Sequence, residues 1–325
     1  MELLQGGEMN GTVMVFGSIN ADASYRMTAL PTPGETVIAS TASASPGGKG
    51  ANQAIAAAAA GAVTRMIGMV GDDSEGAAQL AALALRGVDT DSVTTRHGVA
   101  TGRAVVFVDD SGENSIVVLS GANDLLDGDV AATGLASIST GDVLVLQNEV
   151  PAAANRAAAR LAQSLGAKVI WNAAPAPTAA ADRVHDIDLL VVNEHELKQI
   201  SGILGIDATG EGPGSSALSA LLAECARALD ADAICTLGSD GAIFFADGLS
   251  GSVAAPKVRA VDTTAAGDTV VGYLAAHAAL PMGERLRLAA AAGALAVTRV
   301  GASSSIPHIG DVVALPVAPT ERTPA

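Results

Sequence analysis

The sequence predicts an α/β protein whose doubly wound, mainly parallel sheet is covered by helices on both faces. Short apolar runs such as Val13–Phe16 and Leu189–Val192 have the length and the continuous apolar character of strands buried inside a parallel sheet. Alanine-rich stretches of helical length, such as Ala152–Gly166, lie between many of these runs. Strands that alternate with helices in this way are typical of βαβ units, whose crossover helices cover the sheet.

The individual elements are predicted from the same two patterns. A short run of strand-forming residues between turn residues predicts a strand, and a longer alanine-rich segment predicts a helix. The predicted strands are Val13–Phe16, Thr36–Thr41, Thr64–Val70, Ala104–Asp109, Ile116–Leu119, Val143–Gln147, Lys168–Trp171, Leu189–Val192, Ala233–Leu237 and Ala242–Ala246. The predicted helices are Ala51–Ala60, Glu75–Arg86, Ala152–Gly166, Glu194–Ser201, Ser216–Asp230, Ala265–Leu280 and Gly283–Arg299.

Two segments, 36–45 and 102–120, interrupt this alternation because no helix separates their strands. The turn sequence Asp109-Asp110-Ser111-Gly112 within the second segment predicts a hairpin. We expect the two segments to form a small separate β-sheet that serves as a lid or as a dimer contact.

The chain of 325 residues is long enough to form one large domain. We expect residues 12–313 to form that domain, residues 1–11 to be an N-terminal extension and residues 314–325 to be a loose C-terminal tail. The N-terminus has neither the basic region nor the long apolar run of a signal peptide, so a cytoplasmic location is expected.

Composition excludes several classes of protein. The 18 Lys+Arg residues against 34 Asp+Glu give a net charge of −16, which is unsuited to binding a nucleic-acid backbone. A mean hydropathy of +0.39 excludes a mainly disordered chain. The alanine-rich stretches 54–63 and 288–297 are too short to cross a membrane, so no membrane partner is expected. Cys225 and Cys235 are too few for a disulfide scaffold and are expected to be reduced.

The segment Asp262–Asp268 (DTTAAGD) precedes a predicted helix and is the strongest local signal. Small residues at Ala265, Ala266 and Gly267 allow backbone amides to approach a ligand, and unpaired N–H groups at a helix start favour an anion such as phosphate. Asp268 would lie in the first turn, where it could accept a proton from an attacking hydroxyl. Taken alone, the same pattern also fits an ordinary helix N-terminus with an acidic residue.

Two further segments have polar residues beside a predicted strand or helix end. Gly47–Gln53 (GGKGANQ) combines glycines with the donors Lys49 and Asn52, although it lacks the spacing of a Walker A loop. Gly17–Asp22 (GSINAD) follows the first strand, where ligands bind in doubly wound sheets. The alternative interpretations are an ordinary glycine turn and an aspartate that caps a turn.

Other polar turns follow further predicted strands at the same edge of the sheet. They are Glu149, Asn172, Asn193 with Glu196, and the segment 236–241. The five histidines have no metal-ligand spacing, no G-x-S-x-G elbow is present, and the first turn lacks G-x-G-x-x-G. These absences disfavour a histidine metal site, a serine hydrolase and a dinucleotide-dependent oxidoreductase.

Taken together, these motifs resemble those of the ribokinase-like (PfkB-type) carbohydrate kinases. The resemblance extends from Val13 to Pro307, nearly the whole chain. It rests on G-S-I-N-A-D at 17–22, P-T-P-G-E-T at 31–36, G-G-K-G-A-N-Q-A at 47–54, T-G at 101–102, G-A-N at 121–123, Q-N-E-V-P at 147–151, N-A-A-P-A at 172–176, N-E-H-E at 193–196, T-L-G-S-D-G at 236–241, D-T-T-A-A-G-D-T at 262–269 and V-T-R-V-G-A-S-S-S-I-P at 297–307.

The resemblance implies a sugar kinase that uses ATP and magnesium and is activated by potassium. It implies that Asp268 is the general base, and that the amides of Ala266 and Gly267 form the anion hole for the transferred phosphoryl group. The implied sugar-binding residues are Asn20, Ala21, Asp22, Gly48, Lys49, Gly50, Ala51, Asn52, Glu149 and Asp268.

The resemblance also implies where the nucleotide and the metals bind. The implied nucleotide-binding residues are Asn193, Thr236, Leu237, Gly238, Ser239, Asp240, Gly241, Gly267 and Asp268. Glu196 is implied to hold magnesium through water, and the implied potassium-binding positions are Asp262, Thr264, Ala296, Arg299, Gly301 and Ser305. The lid sheet is expected to form a homodimer, as in this family.

The expected reaction is transfer of phosphate from ATP to the 5-hydroxyl of D-ribose. One alternative is a kinase of the same family with another acceptor, such as 2-deoxyribose, another pentose or hexose, or a nucleoside. Another is a sugar-binding regulator that has the fold and lacks catalysis. A third, an α/β protein whose polar turns are all caps, does not explain why so many polar turns share one edge of the sheet.

Overall fold

A computed structural model describes residues 11–111, 113–206, 215–315 and 321–324. The strands are β1 (Val13–Phe16), β2 (Asn20–Arg26), β3 (Thr41–Gly47), β4 (Thr64–Gly71), β5 (Val88–Arg96), β6 (Gly102–Val108), β7 (Asn114–Leu119), β8 (Val143–Leu146), β9 (Lys168–Asn172), β10 (Leu189–Asn193), β11 (Asp232–Thr236), β12 (Ala242–Ala246), β13 (Leu249–Val253) and β14 (Glu321–Pro324). The helices are α1 (Lys49–Ala59), α2 (Ser74–Leu85), α3 (Gly128–Gly134), α4 (Ala152–Ser164), α5 (Glu194–Ile203), α6 (Ser215–Leu229), α7 (Ala266–Ala276), α8 (Met282–Ala296) and α9 (Ile309–Val313).

The large sheet confirms the predicted α/β class. Its strand order is β14-β13-β12-β11-β10-β9-β8-β1-β4-β5. The strands from β11 to β5 in that order are parallel, and β12, β13 and β14 add an antiparallel edge. β1 lies between β4 and β8, so the chain begins in the middle of the sheet and later returns to its other side. Ligands of doubly wound sheets bind at such a reversal, beyond the carboxyl ends of the strands.

Two buried apolar layers cover the two faces of this sheet. One includes residues of α1, α7 and α8, and the other includes residues of α4, α5 and α6. Trp171, at 0% exposure, is among the largest side chains buried in the second layer. Many of the helix residues in both layers are alanines, which allow helices to approach each other and the sheet closely.

A second, four-stranded sheet has the order β3-β2-β6-β7. It confirms the expected small separate sheet, including the hairpin of β6 and β7 in the segment 102–120. The strand predicted at Thr36–Thr41 is wrong, because the strand begins at Thr41 and continues to Gly47. Its position is determined by pairing with β2, which places Arg26 opposite Thr41 and Asn20 opposite Gly47.

In the polar segment after β1, Asn20–Asp22 begin β2, so the alternative of an aspartate that caps a turn does not apply to Asp22. Sequence patterns did not predict β2, β5, β13, β14, α3 or α9. β5 (VDTDSVTTR) is mainly polar, and its strand conformation is supported by pairing with the buried strand β4. Pairing of this kind is a tertiary effect that local periodicity does not reveal.

The two ends of the chain differ from each other. Of the expected N-terminal extension, residues 1–10 lie outside the described residues. At the other end, residues 316–320 and 325 of the expected tail lie outside the described residues, and Glu321–Pro324 pair with β13 as an added edge strand. An edge strand offers free backbone groups that can pair with a passing segment of almost any sequence. Among the described residues, no helix has the length and apolar character needed to cross a lipid bilayer.

Candidate active site

The predicted site residues gather at the edge of the large sheet where β1, β8, β10 and β11 end. The starts of α1 and α7 lie at the same place, so two helix N-termini face the site. Each helix start leaves backbone N–H groups without an acceptor inside the helix, which favours anionic ligands. The sequence places these turns along one edge, and the structure shows which of their side chains meet.

The glycine-rich segment holds the start of α1 against the end of β1. Gly48 has φ of +89°, and a Cβ there would lie 2.8 Å from the backbone nitrogen of Asn20. The backbone amides of Gly50 and Ala51 donate to Oγ and O of Ser18, at 3.2 Å and 3.0 Å. These two amides therefore fix the helix to the strand and are not free donors for a ligand.

Glu149 joins three segments of the chain. Its Oε2 accepts from Ser18 Oγ at 2.6 Å and from the backbone nitrogen of Lys49 at 3.0 Å. Ser18 follows β1, Lys49 begins α1 and Glu149 follows β8. The carboxylate is thus fixed at the point where the strand order reverses.

Asp268 lies in the first turn of α7 and is 7% exposed. Its Oδ2 accepts from Nδ2 of Asn52 at 3.1 Å, and its Oδ1 accepts from Nε2 of Gln53 at 3.0 Å. The residue before the helix, Ala265, has φ of +59°, which turns the chain sharply into α7. The amide of Ala266 lies 3.3 Å from the carbonyl of Thr263, a long contact, and space is open around Gly267.

One cation and several carboxylates share the centre of the site. The negative charge of Asp268 raises the pKa of Lys49, and Glu149 and Glu196 add to this effect while burial opposes it. Burial raises the pKa of Asp22 to about 7, with further contributions from the charges of Glu149 and Asp268. Lys49 therefore stays protonated among the carboxylates, and Asp22 titrates near neutral pH.

Three buried oxygens around Asp268 have no hydrogen-bond donor: Oε1 of Gln53, and Oδ1 of Asp22 and Oδ1 of Asn52, which belong to predicted sugar-binding residues. Burying an acceptor without a donor is unfavourable, so such atoms mark a place where a ligand can supply hydroxyl groups. Asn20 lies nearby and is itself oriented, because its Oδ1 accepts from Nδ2 of Asn123 at 2.8 Å. Its own Nδ2 is left to act as a donor. Ala21 lies between Asn20 and Asp22 on β2.

The predicted nucleotide-binding residues lie at the ends of two adjacent strands. Asn193 ends β10 and pairs in register with Thr236 at the end of β11. Asn193 and Glu196 cap the start of α5 reciprocally, with both hydrogen bonds at 2.8 Å. Burial raises the pKa of Glu196, while the Asn193 amide and Lys49 oppose that shift. The turn formed by Leu237, Gly238, Ser239, Asp240 and Gly241 follows β11 directly.

The two segments predicted to bind potassium are in contact. Oδ1 of Asp262 accepts from the amide and hydroxyl of Thr264, and its Oδ2 accepts from the amide of Gly301 at 2.9 Å. Although burial opposes the effect, these hydrogen bonds lower the pKa of Asp262. The side chain of Arg299 reaches Asp311 at 3.3 Å. The described residues contain no cluster of three or more His, Cys, Asp and Glu side chains suited to a metal ion.

Ala296 and Ser305 lie in the same region. The carbonyl of Ala296 accepts from the amide of Arg299, and the hydroxyl of Ser305 donates to the carbonyl of Ala302 at 2.7 Å. Each carbonyl has a second lone pair, so these contacts leave capacity for a cation.

The chain is similar to known proteins over nearly its whole length. The family described as pfkB family carbohydrate kinase matches residues 10–309. The chain belongs to the PfkB family of carbohydrate kinases. It is 38% identical over 310 residues to a protein of Schizosaccharomyces pombe named ribokinase, covering 92% of this chain and 96% of that protein.

Solved structures of PfkB kinases have the same fold. The ribokinase of Cryptococcus neoformans in complex with ADP superposes with a TM-score of 0.82 at 31% identity, covering 93% of this chain and 99% of the other. The Arabidopsis thaliana ribokinase complexed with ribose and ATP gives a TM-score of 0.81 at 30% identity, covering 94% of this chain and 98% of the other. The resemblance inferred from the motifs is confirmed.

The sequence of this PfkB kinase does not reveal the roles of Ser18, Gln53 and Asn123. Gln53 and Asn123 lie inside the family motifs G-G-K-G-A-N-Q-A and G-A-N, yet only the structure shows that they hydrogen-bond to Asp268 and Asn20. Ser18 could have been suspected, because it lies between the first strand and the glycine-rich helix. A serine in a turn is too common a signal to single it out.

Proposed function

We propose that this PfkB kinase transfers the γ-phosphoryl group of ATP to the 5-hydroxyl of D-ribose, giving D-ribose 5-phosphate and ADP. The observation that carries the proposal is the pair of unpartnered, buried oxygens on Asp22 and Asn52, next to the carboxylate of Asp268. Neighbouring hydroxyls of a sugar would donate to those oxygens and bring a primary hydroxyl toward Asp268. The relatives named ribokinase, one of them complexed with ribose and ATP, support the same acceptor.

The chemistry requires one proton transfer and one phosphoryl transfer. The oxygen of the 5-hydroxyl forms a bond to the γ-phosphorus, and its proton passes to a carboxylate oxygen of Asp268. The bond from the γ-phosphorus to the bridging oxygen breaks, and that oxygen leaves with ADP. Because phosphoryl transfer has a loose transition state, the protein contributes mainly by positioning the reactants and neutralising charge.

Charge neutralisation would come from the start of α7 and from Lys49. The first-turn amides of α7, including that of Gly267, would face the transferred phosphoryl group. Lys49 is half-buried, and the charge of Asp268 raises its pKa, so it would remain a cation next to the phosphates. The ends of β10 and β11, with Asn193 and residues 236–241, would line the nucleotide.

Magnesium fits the carboxylates on the nucleotide side of the site. Glu196 lies in the first turn of α5 and Asp268 in the first turn of α7, and the charges of both raise the pKa of Lys49. Magnesium binds through one or two carboxylates together with phosphates and waters, and needs no larger protein cluster. Bound there, it would neutralise the charge that develops on the phosphates.

We further propose a potassium site between the segments 262–264 and 296–305. The two segments are joined by the hydrogen bond from Gly301 to Asp262 and by backbone bonds from Val261 and Asp262 to Val297. Asp262 supplies a negative charge there, and backbone carbonyls would supply the other ligands. Because the segment 262–264 leads directly into α7, a bound cation would stiffen the turn that presents Gly267.

The small sheet is proposed to act as a lid and as the contact of a homodimer. It contributes Asn20 and Asp22 to the sugar site through β2. The outer strand β7 presents Ile116, Val117, Val118 and Leu119, each more than half exposed. An exposed apolar edge strand favours pairing with a second chain, which would cover these side chains.

The test is ATP-dependent phosphorylation of ribose, 2-deoxyribose, fructose, adenosine and uridine, each with and without potassium. Preferential turnover of ribose, stimulated by potassium, is expected. If one of the other four compounds is phosphorylated and ribose is not, the protein is a kinase but ribose is not its acceptor. Absence of turnover with all five, together with ribose binding in calorimetry, would favour the sugar-binding regulator.

A further inference from the structure

Gln53 is completely buried on α1 and connects the carboxylate of Asp268 to a polar residue beyond it. Its Nε2 lies 3.0 Å from Oδ1 of Asp268 and 2.9 Å from Oδ1 of Asn172. Asn172, at the end of β9, donates from its Nδ2 to the carbonyl of Val191 at 3.0 Å. We propose that Gln53 and Asn172 are positioning residues that hold Asp268 in its catalytic orientation. This inference rests on the proposed function of Asp268.

The chain of hydrogen bonds fixes the orientation of each amide in turn. A backbone carbonyl can only accept, so the carbonyl of Val191 requires the nitrogen end of the Asn172 amide. The oxygen end of Asn172 then faces Gln53, which must present its nitrogen. The two N–H groups of Gln53 are therefore directed at Asn172 and at Asp268. The carbonyl of Val191 in β10 thus determines, through Asn172, that Gln53 donates a hydrogen bond to Asp268.

The unsatisfied oxygen of the Gln53 amide indicates that Gln53 serves to donate a hydrogen bond to Asp268. Oε1 of Gln53 is buried and has no hydrogen-bond donor. A glutamine selected only for packing would gain by satisfying that atom or by being replaced with an apolar residue of similar shape. Here the amide instead uses both of its N–H groups on two acceptors and leaves its own oxygen unsatisfied.

This arrangement leaves each oxygen of Asp268 with one amide donor. Asn52 binds Oδ2 and lies among the predicted sugar ligands, whereas Gln53 binds Oδ1 from the buried side. Each carboxylate oxygen retains a second lone-pair direction, so a proton from the acceptor hydroxyl can still be received. Gln53 restricts rotation of the carboxylate without occupying the sugar site.

The kinetic test compares Gln53→Met with Gln79→Met. Methionine matches the length of glutamine and cannot donate, and Gln79 is a second buried glutamine, 6% exposed on α2, outside the site. We expect Gln53→Met to lower kcat about 10–100-fold while the KM values for ribose and ATP change less than about threefold. Asn172→Leu removes one of the two acceptors of the Gln53 amide nitrogen, and it should lower kcat by a smaller factor than Gln53→Met does. Gln79→Met should leave kcat unchanged even if it lowers the melting temperature.

A spectroscopic readout keeps this inference separate from the proposed function. In ¹⁵N-labelled protein without substrates, the side-chain amide signal of Gln53, identified by its loss in Gln53→Met, should move in Asp268→Ala and in Asn172→Leu. The signal of Gln79 should stay in place. A Gln53 signal unaffected by Asp268→Ala, or a kcat of Gln53→Met within twofold of that of Gln79→Met, would overturn the inference. A wild-type protein that phosphorylates no sugar would overturn the proposed function and leave the spectroscopic result standing by itself.

Discussion

The Nδ2 amide of Asn52 lies 3.1 Å from Oδ2 of Asp268, although the two residues are 216 positions apart in the chain. Asn52 is in the first turn of α1 and Asp268 is in the first turn of α7, so the contact requires the two helices to begin side by side. Gly272 permits this approach, because a Cβ at that position would lie 2.6 Å from the carbonyl oxygen of Gln53. The packing of two helices thus brings the predicted base to the predicted sugar ligands.

Replacement of Asp268 by asparagine is expected to abolish most turnover. The amide keeps the shape of the side chain and cannot accept the hydroxyl proton, so kcat should fall about 10²–10⁴-fold, the range for loss of a general base. Ribose binding, measured by calorimetry, should persist. Full activity of Asp268→Asn would show that Asp268 is not the base.

Replacement of Gly272 by valine is expected to force α1 and α7 apart. The added side chain would meet Ala56 and the backbone of Gln53, so unfolding free energy should fall by about 1–3 kcal/mol, as for overpacked cores. kcat should fall as well, because Asp268 would separate from Asn52. Gly202→Ala is the matched control: nothing lies within 4 Å of its added Cβ, and alanine favours a helix. Equal stability of the two variants would contradict this account of the packing.

Asp22 should make the stability of the ligand-free protein depend on pH. Its pKa is raised to about 7 in the folded state, mainly by burial, above the value of 3.8 for the free side chain. Between these values the folded protein binds more protons than the unfolded chain, so the contribution of Asp22 to stability falls as pH rises from about 4 to 7. Thermal unfolding of Asp22→Asn against wild type should show an advantage for the variant that grows over this range.

Asp110→Asn, at an exposed position of the lid hairpin, is the control for that comparison. The advantage of Asp22→Asn over wild type should grow with pH beyond any change seen for Asp110→Asn. A difference between Asp22→Asn and wild type that does not change with pH would contradict the assignment of the pH dependence to Asp22. Asp22→Asn should also weaken ribose binding, because it replaces a carboxylate acceptor in the sugar site with an amide.

A charge on β7 should dissociate the proposed dimer. Val118 is 54% exposed on the edge strand, and Val118→Asp would place a carboxylate in an apolar contact. Sedimentation should show a monomer for this variant and a dimer for wild type. Leu85→Asp, at a residue 85% exposed near the end of α2, should remain dimeric. A wild-type protein that sediments as a monomer would overturn the proposed contact.

Removal of the Asp262 carboxylate should weaken activation by potassium. Asp262→Ala removes a negative charge, two hydrogen bonds within the segment 262–264 and the hydrogen bond from Gly301 that joins this segment to 299–301. The stimulation of kcat by potassium over sodium should therefore decrease. Asp311→Ala, which removes only the side-chain partner of Arg299, should keep the stimulation. Equal stimulation in Asp262→Ala and wild type would place the cation elsewhere.

The fold class was predictable because its signals are local. Apolar runs such as Val13–Phe16 bury both faces of a strand and therefore stand out in any sequence window. Alanine-rich segments between them are long enough to be helices. Polar turns after several of these strands had to meet at one edge, because parallel strands all end on the same side of the sheet.

Strand pairing and helix packing determine the features that the sequence patterns did not predict. β2, β3 and β5 are polar or mixed in sequence, and their strand conformation follows from partners elsewhere in the chain. The bonds of Asp268 to Asn52 and Gln53 follow from the contact between α1 and α7. That Gln53 offers a donor to Asp268 follows from a backbone carbonyl of β10, through Asn172. Local patterns in the sequence indicate which residue types are available at the edge of the sheet, because periodicity acts over a few residues. Which of these residues meet depends on helix packing between segments that are far apart in the chain, so it could be seen only in the folded protein.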